Sequence, residues 1–330
     1  MRLLVLGGSS FVGGAVVDAA LAGGWGVTTF NRGSRPEDRP GVEVVVGDRT
    51  RRSDVERLAG DRWDVVVDTW AAAPRVVRTS AGLLRDVAGR YVYVSSRAVY
   101  ASPYPGGLDE TAATVEASAG AESTGYAEDK RGGELAVEEA FGDRALLVRA
   151  GVILGPGENL GRMRCWLAHV DRSSTVLAPG DPDQPWRFVD VRDLAAWTLA
   201  AAAAGEHGPF NLVNPLGQAT TGSFLDACRG VVLSNARLRW VGPAAIDRAG
   251  IDRYDALPGW LPPVPEYNGF LTTDVGRALA AGLRCRPVHE TVADTMAWLR
   301  DTGGLGHRPD RDGPDPLGLD PALERAALAG

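Results

Sequence analysis

The sequence has little cysteine, little histidine and almost no lysine. Three cysteines and four histidines are spread over 330 residues without a C-x-x-C pair or a Cys/His cluster, which argues against a metal site or a disulfide framework. Free thiols suit a reducing cytosol, so we expect a cytoplasmic protein. Lysine occurs once, as Lys130, although Lys and Arg together number 35. Since arginine occupies every other cationic position, position 130 has a requirement that arginine does not meet.

Long apolar runs and an excess of positive charge are also missing. The first residues turn to glycine after a few apolar positions, so we expect no signal peptide. The alanine-rich stretch 194–205 is too short to cross a bilayer, so we expect no membrane partner. The formal net charge is -7, and the arginine-rich stretches are interleaved with acids. We expect no nucleic-acid partner, because phosphate contacts need a basic face, and we interpret these stretches as solvated helix surface.

The first half of the chain alternates short apolar runs with helix-like stretches. Runs such as "RLLVLGG", "WDVVVDTWA" and "RYVYVSS" are apolar almost without interruption, which is typical of parallel strands covered on both faces. The alternation predicts an α/β fold, namely a Rossmann-type doubly wound parallel sheet with a smaller C-terminal substrate-binding lobe.

The rhythm changes after about residue 155, where proline becomes frequent and short elements mix irregularly. Further on, "WRFVDVRDLAAWTLAAAAAG" could form a strand and a helix that rejoin the first sheet, and "PFNLVNP" could form another short strand. A glycine-, proline- and aspartate-rich stretch near the end predicts a flexible linker before a short helix capped by Asp320. The predicted units are an NAD(P)-binding domain (1–155 and 186–214), a substrate-binding lobe (156–185 and 215–302), and the linker with its helix (303–330).

The stretch "LVLGGSSFVGGAV" places a glycine-rich turn directly between the first strand and the first helix. In such a turn the backbone amides and the helix N-terminus can meet a pyrophosphate. Gly7 would permit the tight turn and Gly13 the close packing of helix on strand, while Ser10 stands where a middle glycine is usual. The residues predicted to bind here are Gly7, Ser9, Ser10, Phe11, Val12 and Gly13.

The second strand ends in "TTFNRGSRPED", with Asn31 and Arg32 where an NAD site usually carries an acid for the ribose 2′-hydroxyl. Arg32, together with Arg35, could instead hold a 2′-phosphate, which favours NADP over NAD as the cofactor and leaves NAD as the alternative. Asp48, after the third strand, is placed to accept from an adenine amino group. Arg49, the next residue, is included in the predicted cofactor site.

Tyr126 and Lys130 lie four residues apart in "GYAEDKRGGE", a spacing that places both on one face of a helix. An unperturbed tyrosine is a poor acid or base near neutral pH, and a nearby ammonium favours its phenolate. An ammonium is also compact, with rotatable donors for ribose hydroxyls, whereas a guanidinium is larger and planar. Ser95 and Ser96 end the fifth strand, where a hydroxyl can donate to a substrate carbonyl. The pattern predicts proton transfer at a carbonyl.

Six motifs follow one another in a familiar order: "GGSSFVG", "VVVGD", "YVYVSSRAVY", "Y-A-E-D-K", "VRAGVILGPG" and "RFVDVRDLA". Together they resemble the extended short-chain dehydrogenases/reductases, also called the NAD-dependent epimerase/dehydratase family, over about residues 1–215. The resemblance implies hydride transfer to or from a nicotinamide at a Ser–Tyr–Lys site. Matched residue by residue, the catalytic set is Ser96, Tyr126 and Lys130. The segment matched to the family's contact with cofactor ribose and phosphates is Thr69, Trp70 and Ala71.

Two positions depart from the pattern of the family's sugar-nucleotide epimerases. Those enzymes carry an asparagine after the sixth strand, where this chain has Val152. They also carry a phosphate-clamping arginine where this chain has Trp186, and Arg187 lies one residue further on, on the opposite strand face. Both departures argue against a sugar-nucleotide substrate. The turn "GGSSFVG" is also similar to chloroplast stem-loop RNA-binding members, which often lack the Tyr/Lys pair.

The sequence therefore predicts an NADP(H)-dependent reductase or dehydrogenase that interconverts carbonyl and alcohol on a small metabolite, as a monomer or homodimer. Tyr126 would be the general acid in reduction, Lys130 would tune it and bind ribose, and Ser96 would polarise the carbonyl. Tyr126 and Lys130 also belong to the predicted cofactor-binding residues. Two alternatives stay open. One is an NAD-dependent nucleotide-sugar epimerase or dehydratase, and the other is a non-catalytic NADP-binding sensor or RNA-binding protein.

Overall fold

A computed structural model describes residues 1–34, 38–305 and 318–329 of the chain. The strands are β1 (Arg2–Leu6), β2 (Gly26–Asn31), β3 (Val42–Val46), β4 (Trp63–Asp68), β5 (Ala88–Ser96), β6 (Ala145–Ala150), β7 (Val152–Leu154), β8 (Thr175–Pro179), β9 (Phe188–Asp190), β10 (Gly208–Leu212) and β11 (Arg237–Val241). The helices are α1 (Phe11–Ala22), α2 (Arg52–Glu56), α3 (Pro74–Leu84), α4 (Tyr126–Phe141), α5 (Arg162–Asp171), α6 (Val191–Ala204), α7 (Thr221–Val232), α8 (Pro243–Arg248), α9 (Arg253–Ala256), α10 (Asn268–Leu271), α11 (Gly276–Ala280), α12 (Val288–Asp301) and α13 (Pro321–Ala329).

Seven strands form one parallel sheet in the order β10-β6-β5-β4-β1-β2-β3. The chain winds outward from β1 in one direction through β2 and β3, then returns to β4 and continues in the other. Alternate residues of the strands face opposite sides, so that Leu3 and Val5 pack with α1 and α6 while Leu4 and Leu6 pack with α3 and α4. The predicted Rossmann-type, doubly wound sheet is confirmed.

A second apolar core lies outside this sheet. It is built from α5, α7, α12 and the parallel pair of β8 and β11, and aromatic rings occupy its centre. Trp186 stacks on Phe224 with ring centres 4.2 Å apart, and Trp166 meets both rings edge-on. This core corresponds to the predicted C-terminal lobe, whose residue bounds stay a prediction.

The stretch "WRFVDV" does not join the main sheet, contrary to the sequence expectation. The chain leaves β6 at Gly151, whose N–H donates to Leu212 O at 2.9 Å. The next three residues form β7, which pairs with β9 in a separate two-stranded sheet with Val152 opposite Phe188. The apolar stretch "RALLVRAGVILGPG", which the sequence predicts as one strand, is therefore two strands, and β10 takes the edge position beside β6.

The alanine-rich stretch forms most of α6 and packs on the sheet beside α1. In the ranges that the structure covers, no helix combines the length and the apolarity needed to cross a membrane.

The predicted C-terminal helix is present as α13. Asp320 Oδ1 accepts from Ala322 N at 2.6 Å, and the buried Glu324 accepts from Leu177 N at 2.9 Å, which holds the helix against β8. Residues 306–317, most of the predicted linker, lie outside the described residues.

A buried ion pair ties α4 to β6. Glu134, fully buried on α4, accepts from Nε and Nη2 of Arg149, each at 2.9 Å. Arg131 donates both to Glu134 at 2.8 Å and to the more exposed Glu138 at 3.1 Å. Both glutamates therefore accept from Arg131, but only Glu134 also neutralises the buried Arg149.

Replacement of the buried acid should destabilise the fold far more than replacement of its neighbour. Glu134→Ala leaves the Arg149 guanidinium buried without a counter-charge and should lower the free energy of unfolding by about 3–5 kcal/mol. Glu138→Ala removes a half-exposed partner of Arg131 and should cost at most about 1 kcal/mol. Urea unfolding of both variants measures the difference, and equal losses would contradict the assignment.

Candidate nucleotide and catalytic site

Two glycines of the turn between β1 and α1 stand where a side chain has no room. Gly7 has a φ of 102°, and a Cβ on it would lie 2.6 Å from Thr69 Oγ1. A Cβ on Gly13 would lie 2.2 Å from Gly7 O, closer than atoms can approach. Glycine at these two positions therefore lets the turn pack tightly against Thr69 and lets α1 start close to β1.

The turn opens onto a cleft of about 290 Å³ at the carboxyl ends of β1 to β4. Leu6, Phe30, Ser34 and Gly47, which the motifs did not single out, also line it. Phe11 lines a neighbouring groove, while Val12 and Gly13 pack towards the core and Arg35 lies outside the described residues. The predicted cofactor residues that line the cleft are Gly7, Ser9, Ser10, Asn31, Arg32, Asp48, Arg49, Thr69, Trp70 and Ala71.

The far end of the cleft carries an exposed arginine and a fixed acid. Arg32 follows β2 with its side chain in solvent, and Asn31 Oδ1 accepts from Gly33 N at 2.8 Å to close the turn that presents it. Asp48 Oδ1 accepts from Thr50 N at 2.9 Å and from Thr50 Oγ1 at 2.7 Å. These hydrogen bonds to Thr50 lower the pKa of Asp48, so that the carboxylate is charged near neutral pH.

The Arg49 guanidinium is occupied by an acid that the sequence motifs missed. Its Nη1 and Nη2 donate to the two oxygens of Asp68 at 2.7 and 2.6 Å, and Tyr91 Oη donates to the same carboxylate at 2.6 Å. Burial works against the charged carboxylate, but the ion pair with Arg49 outweighs it and lowers the pKa of Asp68. The guanidinium also lies 4.8 Å from the Trp70 ring centre. Arg49 thus supports the wall of the cleft.

Lys130 is buried between α4 and the sheet. Its Nζ donates to Trp70 O at 2.7 Å and to Val94 O at 2.6 Å, and lies 4.9 Å from the Tyr93 ring centre. An ammonium has three donors, so two are bound to carbonyls and the third is not committed to either. Burial lowers the pKa of Lys130 to about 8.

The other two predicted catalytic residues stand on the elements that Lys130 joins. Ser96 ends β5, two residues after Val94, and its Oγ accepts from Ala98 N at 3.1 Å, which leaves the hydroxyl hydrogen for another acceptor. Tyr126 begins α4, one turn before Lys130, and is 55% exposed. Ser95, the alternative serine, points into the protein and its Oγ has no partner among the described residues.

The described parts of the chain contain no cluster of His, Cys, Asp or Glu that could hold a metal ion. All three cysteines are free thiols, and burial raises the pKa of Cys165 to about 11. These thiols are therefore poor nucleophiles near neutral pH.

Known proteins share both the motifs and the fold. A sequence model described as the NAD dependent epimerase/dehydratase family matches residues 3–86 and 79–213. The chain belongs to this family. The family comprises NAD(P)-dependent enzymes of the extended short-chain dehydrogenase/reductase type.

One relative is 2′-dehydrokanamycin reductase of Streptomyces kanamyceticus, which is 32% identical over 227 residues. The match covers 65% of this chain and only 61% of that protein's own length. The NAD+ complex of Bordetella bronchiseptica WbmH has a TM-score of 0.68 at 19% identity, covering 92% of this chain and 99% of WbmH. UDP-glucuronic acid 4-epimerase from Bacillus cereus, also solved with NAD, has a TM-score of 0.63 at 15% identity, covering 91% and 99%. At these identities the two structures show the fold alone.

Because the chain has a single lysine, its ionisation can be read directly. Protein grown with lysine labelled with ¹³C at Cε should give one side-chain resonance that titrates at about 8, since burial disfavours the ammonium, against the ordinary 10.5. The same protein unfolded in urea is the control and should titrate near the ordinary value. A folded-state titration above pH 10 would contradict the buried position of Nζ.

Proposed function

We propose that the protein is an NADP(H)-dependent reductase or dehydrogenase that interconverts carbonyl and alcohol on a small metabolite. The observation that carries this proposal is the position of Lys130. Its ammonium binds the carbonyl of Trp70 at the nucleotide cleft and the carbonyl of Val94 on the strand that ends at Ser96. Tyr126 precedes it by one turn of α4. The reductase name of the relative with 32% identity supports the same reaction.

The residues of the cleft fit a nicotinamide dinucleotide. The turn around Gly7 and the start of α1 would hold its pyrophosphate, Thr69 to Ala71 would lie along the ribose and phosphates, and Arg32 would meet a 2′-phosphate. Bound in this way, the cofactor supplies or accepts a hydride. The third N–H of the Lys130 ammonium, which does not bind a carbonyl, would donate to a ribose hydroxyl.

Three side chains act on the substrate oxygen in this proposal. Ser96 donates a hydrogen bond to the carbonyl oxygen and polarises it. Tyr126 gives its phenolic proton to that oxygen during reduction and takes it back during oxidation. Lys130 stabilises the phenolate that remains, because an adjacent positive charge favours the ionised form of a phenol.

The second apolar core would carry the substrate-binding surface, with residues 156–185 and 215–302 as its extent. We further propose that the enzyme works in the cytoplasm as a monomer or homodimer.

An NAD-dependent nucleotide-sugar epimerase is the second candidate, supported by the family and by solved neighbours that hold NAD. Two side chains oppose it. Trp186, which stands where such enzymes carry a phosphate-clamping arginine, is 3% exposed and stacked on Phe224. Val152, in place of their asparagine, is paired with Phe188. Membership of an enzyme family argues against the third candidate, a non-catalytic sensor or RNA-binding protein.

Removal of one hydroxyl group tests the proton donor. Tyr126→Phe should lower kcat for NADPH-dependent carbonyl reduction by about 100-fold or more, because the general acid is lost, and should leave the Kd of NADPH unchanged. The rate is followed by loss of NADPH absorbance with a panel of carbonyl compounds that includes 2′-dehydrokanamycin. Tyr254→Phe is the matched control, since Tyr254 is 81% exposed on α9. Full activity of Tyr126→Phe would overturn the mechanism.

Cofactor choice depends on Arg32. Arg32→Ala should weaken NADPH binding by about 10- to 100-fold, since a charge-assisted contact with the 2′-phosphate is lost, and should leave NADH binding nearly unchanged. Arg62→Ala, a change of an exposed arginine before β4, is the control for net charge. Calorimetric titration of both nucleotides makes the comparison, and a wild-type preference for NADH would exclude this role.

A further inference from the structure

Three arginines are buried among the residues that the structure describes, and two of them have no acid. Arg149 forms its bidentate pair with Glu134. Arg97 and Arg187, each 4% exposed, make no ion pair within the described ranges. A buried guanidinium without a counter-charge is unfavourable, so this pair needs an explanation.

The two side chains meet at Thr273 and leave donors unused. Arg97 Nη1 donates to Thr273 Oγ1 at 2.6 Å and to Phe270 O at 2.8 Å, and Arg187 Nη2 donates to Thr273 O at 2.8 Å. Arg97 Nε, Arg187 Nε and Arg187 Nη1 are buried and bond to nothing in the described part of the chain. Two positive groups thus share one residue and present three unmatched donors.

The energetics agree with the geometry. Burial, together with the neighbouring charge of Arg187, lowers the pKa of Arg97 to about 9, and burial lowers the pKa of Arg187 to about 10. An anion between them would offset both effects, because it supplies the opposite charge and accepts from the unused donors.

Arg97 places the pair beside the carboxyl ends of β5 and β6. Arg97 follows Ser96. Ser96 is paired with Ala150 where β5 and β6 end. A Cβ on the next residue, Gly151, would lie 2.9 Å from Arg97 Nη2, so the guanidinium rests against this bend. Arg187 directly precedes β9. Ligands of open α/β sheets bind at such carboxyl ends.

We propose that Arg97 and Arg187 form an oxyanion site that takes a carboxylate or phosphate group carried by the carbonyl substrate. The inference rests on the proposed reductase function and narrows its substrate to acids. It does not restore the phosphate clamp of the sugar-nucleotide epimerases, since that position is Trp186, whose ring points into the second core. Arg187 acts from the opposite face of the strand.

Inorganic phosphate probes the site without turnover. At constant ionic strength, with chloride as the reference, phosphate should raise the Tm of the wild-type enzyme by several degrees, because a ligand that binds only the folded state stabilises it. Arg97→Met and Arg187→Met should lose the shift. Arg32→Ala should keep it, which separates this site from the proposed 2′-phosphate contact, and the shift should also persist when the cleft is saturated with NADPH, which separates it from the pyrophosphate contact at Gly7. Arg144→Met should also keep it. Arg144 directly precedes β6, and its guanidinium donates to the carbonyls of Ala88 and Arg85, away from the Arg97–Arg187 pair.

The double variant Arg97→Met/Arg187→Met removes both buried charges, so it leaves no single unpaired guanidinium that could prevent folding. Calorimetric titration of the wild-type enzyme with phosphate tests binding without any variant. Absence of a phosphate effect on the wild type, or its persistence in the double variant, would overturn the site. Because these readings need no turnover, failure of the reductase proposal would leave the phosphate shift intact.

A second arm identifies the source of the anion. With a 2-oxo acid and its methyl ester as probes, wild-type kcat/KM should favour the acid by about 10- to 100-fold, as expected for charge-assisted hydrogen bonds. Phosphate should inhibit competitively against the acid, and Arg187→Met should erase the preference, mainly through KM. Equal use of acid and ester, or phosphate binding without competition, would show a site for a free anion and overturn the assignment to the substrate.

Discussion

The two hydrogen bonds from Lys130 to the carbonyls of Trp70 and Val94 hold the candidate site together. They run from α4 to the segment after β4 and to β5, so one ammonium fixes α4 to both the edge of the cleft and the strand that ends at Ser96. Buried carbonyls of this kind need a donor, and a charged donor forms shorter and stronger bonds than a neutral one. The helix that carries Tyr126 is thereby fastened at the turn after the tyrosine.

The Trp70 carbonyl has a fixed position because Asp68 and Tyr93, on neighbouring strands, form hydrogen bonds with Trp70. Asp68 accepts from Arg49, from Tyr91 and from Trp70 N at 2.9 Å, and Tyr93 Oη donates to Trp70 O at 3.0 Å. The N–H and the carbonyl of Trp70 are therefore both hydrogen-bonded to residues of the sheet or of α4. Such a network holds a ligand-facing segment in one arrangement before the ligand arrives.

Features encoded by adjacent residues could be predicted from the sequence. The parallel sheet follows from apolar strands between helices, and the turn at Gly7 and the Tyr126–Lys130 spacing are each contained in one short stretch. Features that join distant residues could not. Nothing beside Arg49 in the sequence indicates that Asp68, at the end of β4, accepts from its guanidinium, and the pairing of β9 with β7 outside the main sheet joins two segments that are distant in the sequence. The Arg97–Arg187 pair likewise could not be predicted, because the two side chains meet through Thr273, which is distant from both in the sequence.

Arg97 also explains why arginine does not replace the lysine. At position 97 a buried guanidinium satisfies two acceptors and still has a buried Nε without a partner. At position 130 the surroundings offer two carbonyls in a narrow space, since a Cβ on Gly133 of the same helix would lie 2.4 Å from Tyr93 Oη. An ammonium meets both carbonyls and keeps one donor, whereas a guanidinium would bring five donors and more volume. Close packing of α4 on β5 therefore favours the more compact cation, and the only lysine in the chain stands one turn before the close contact at Gly133.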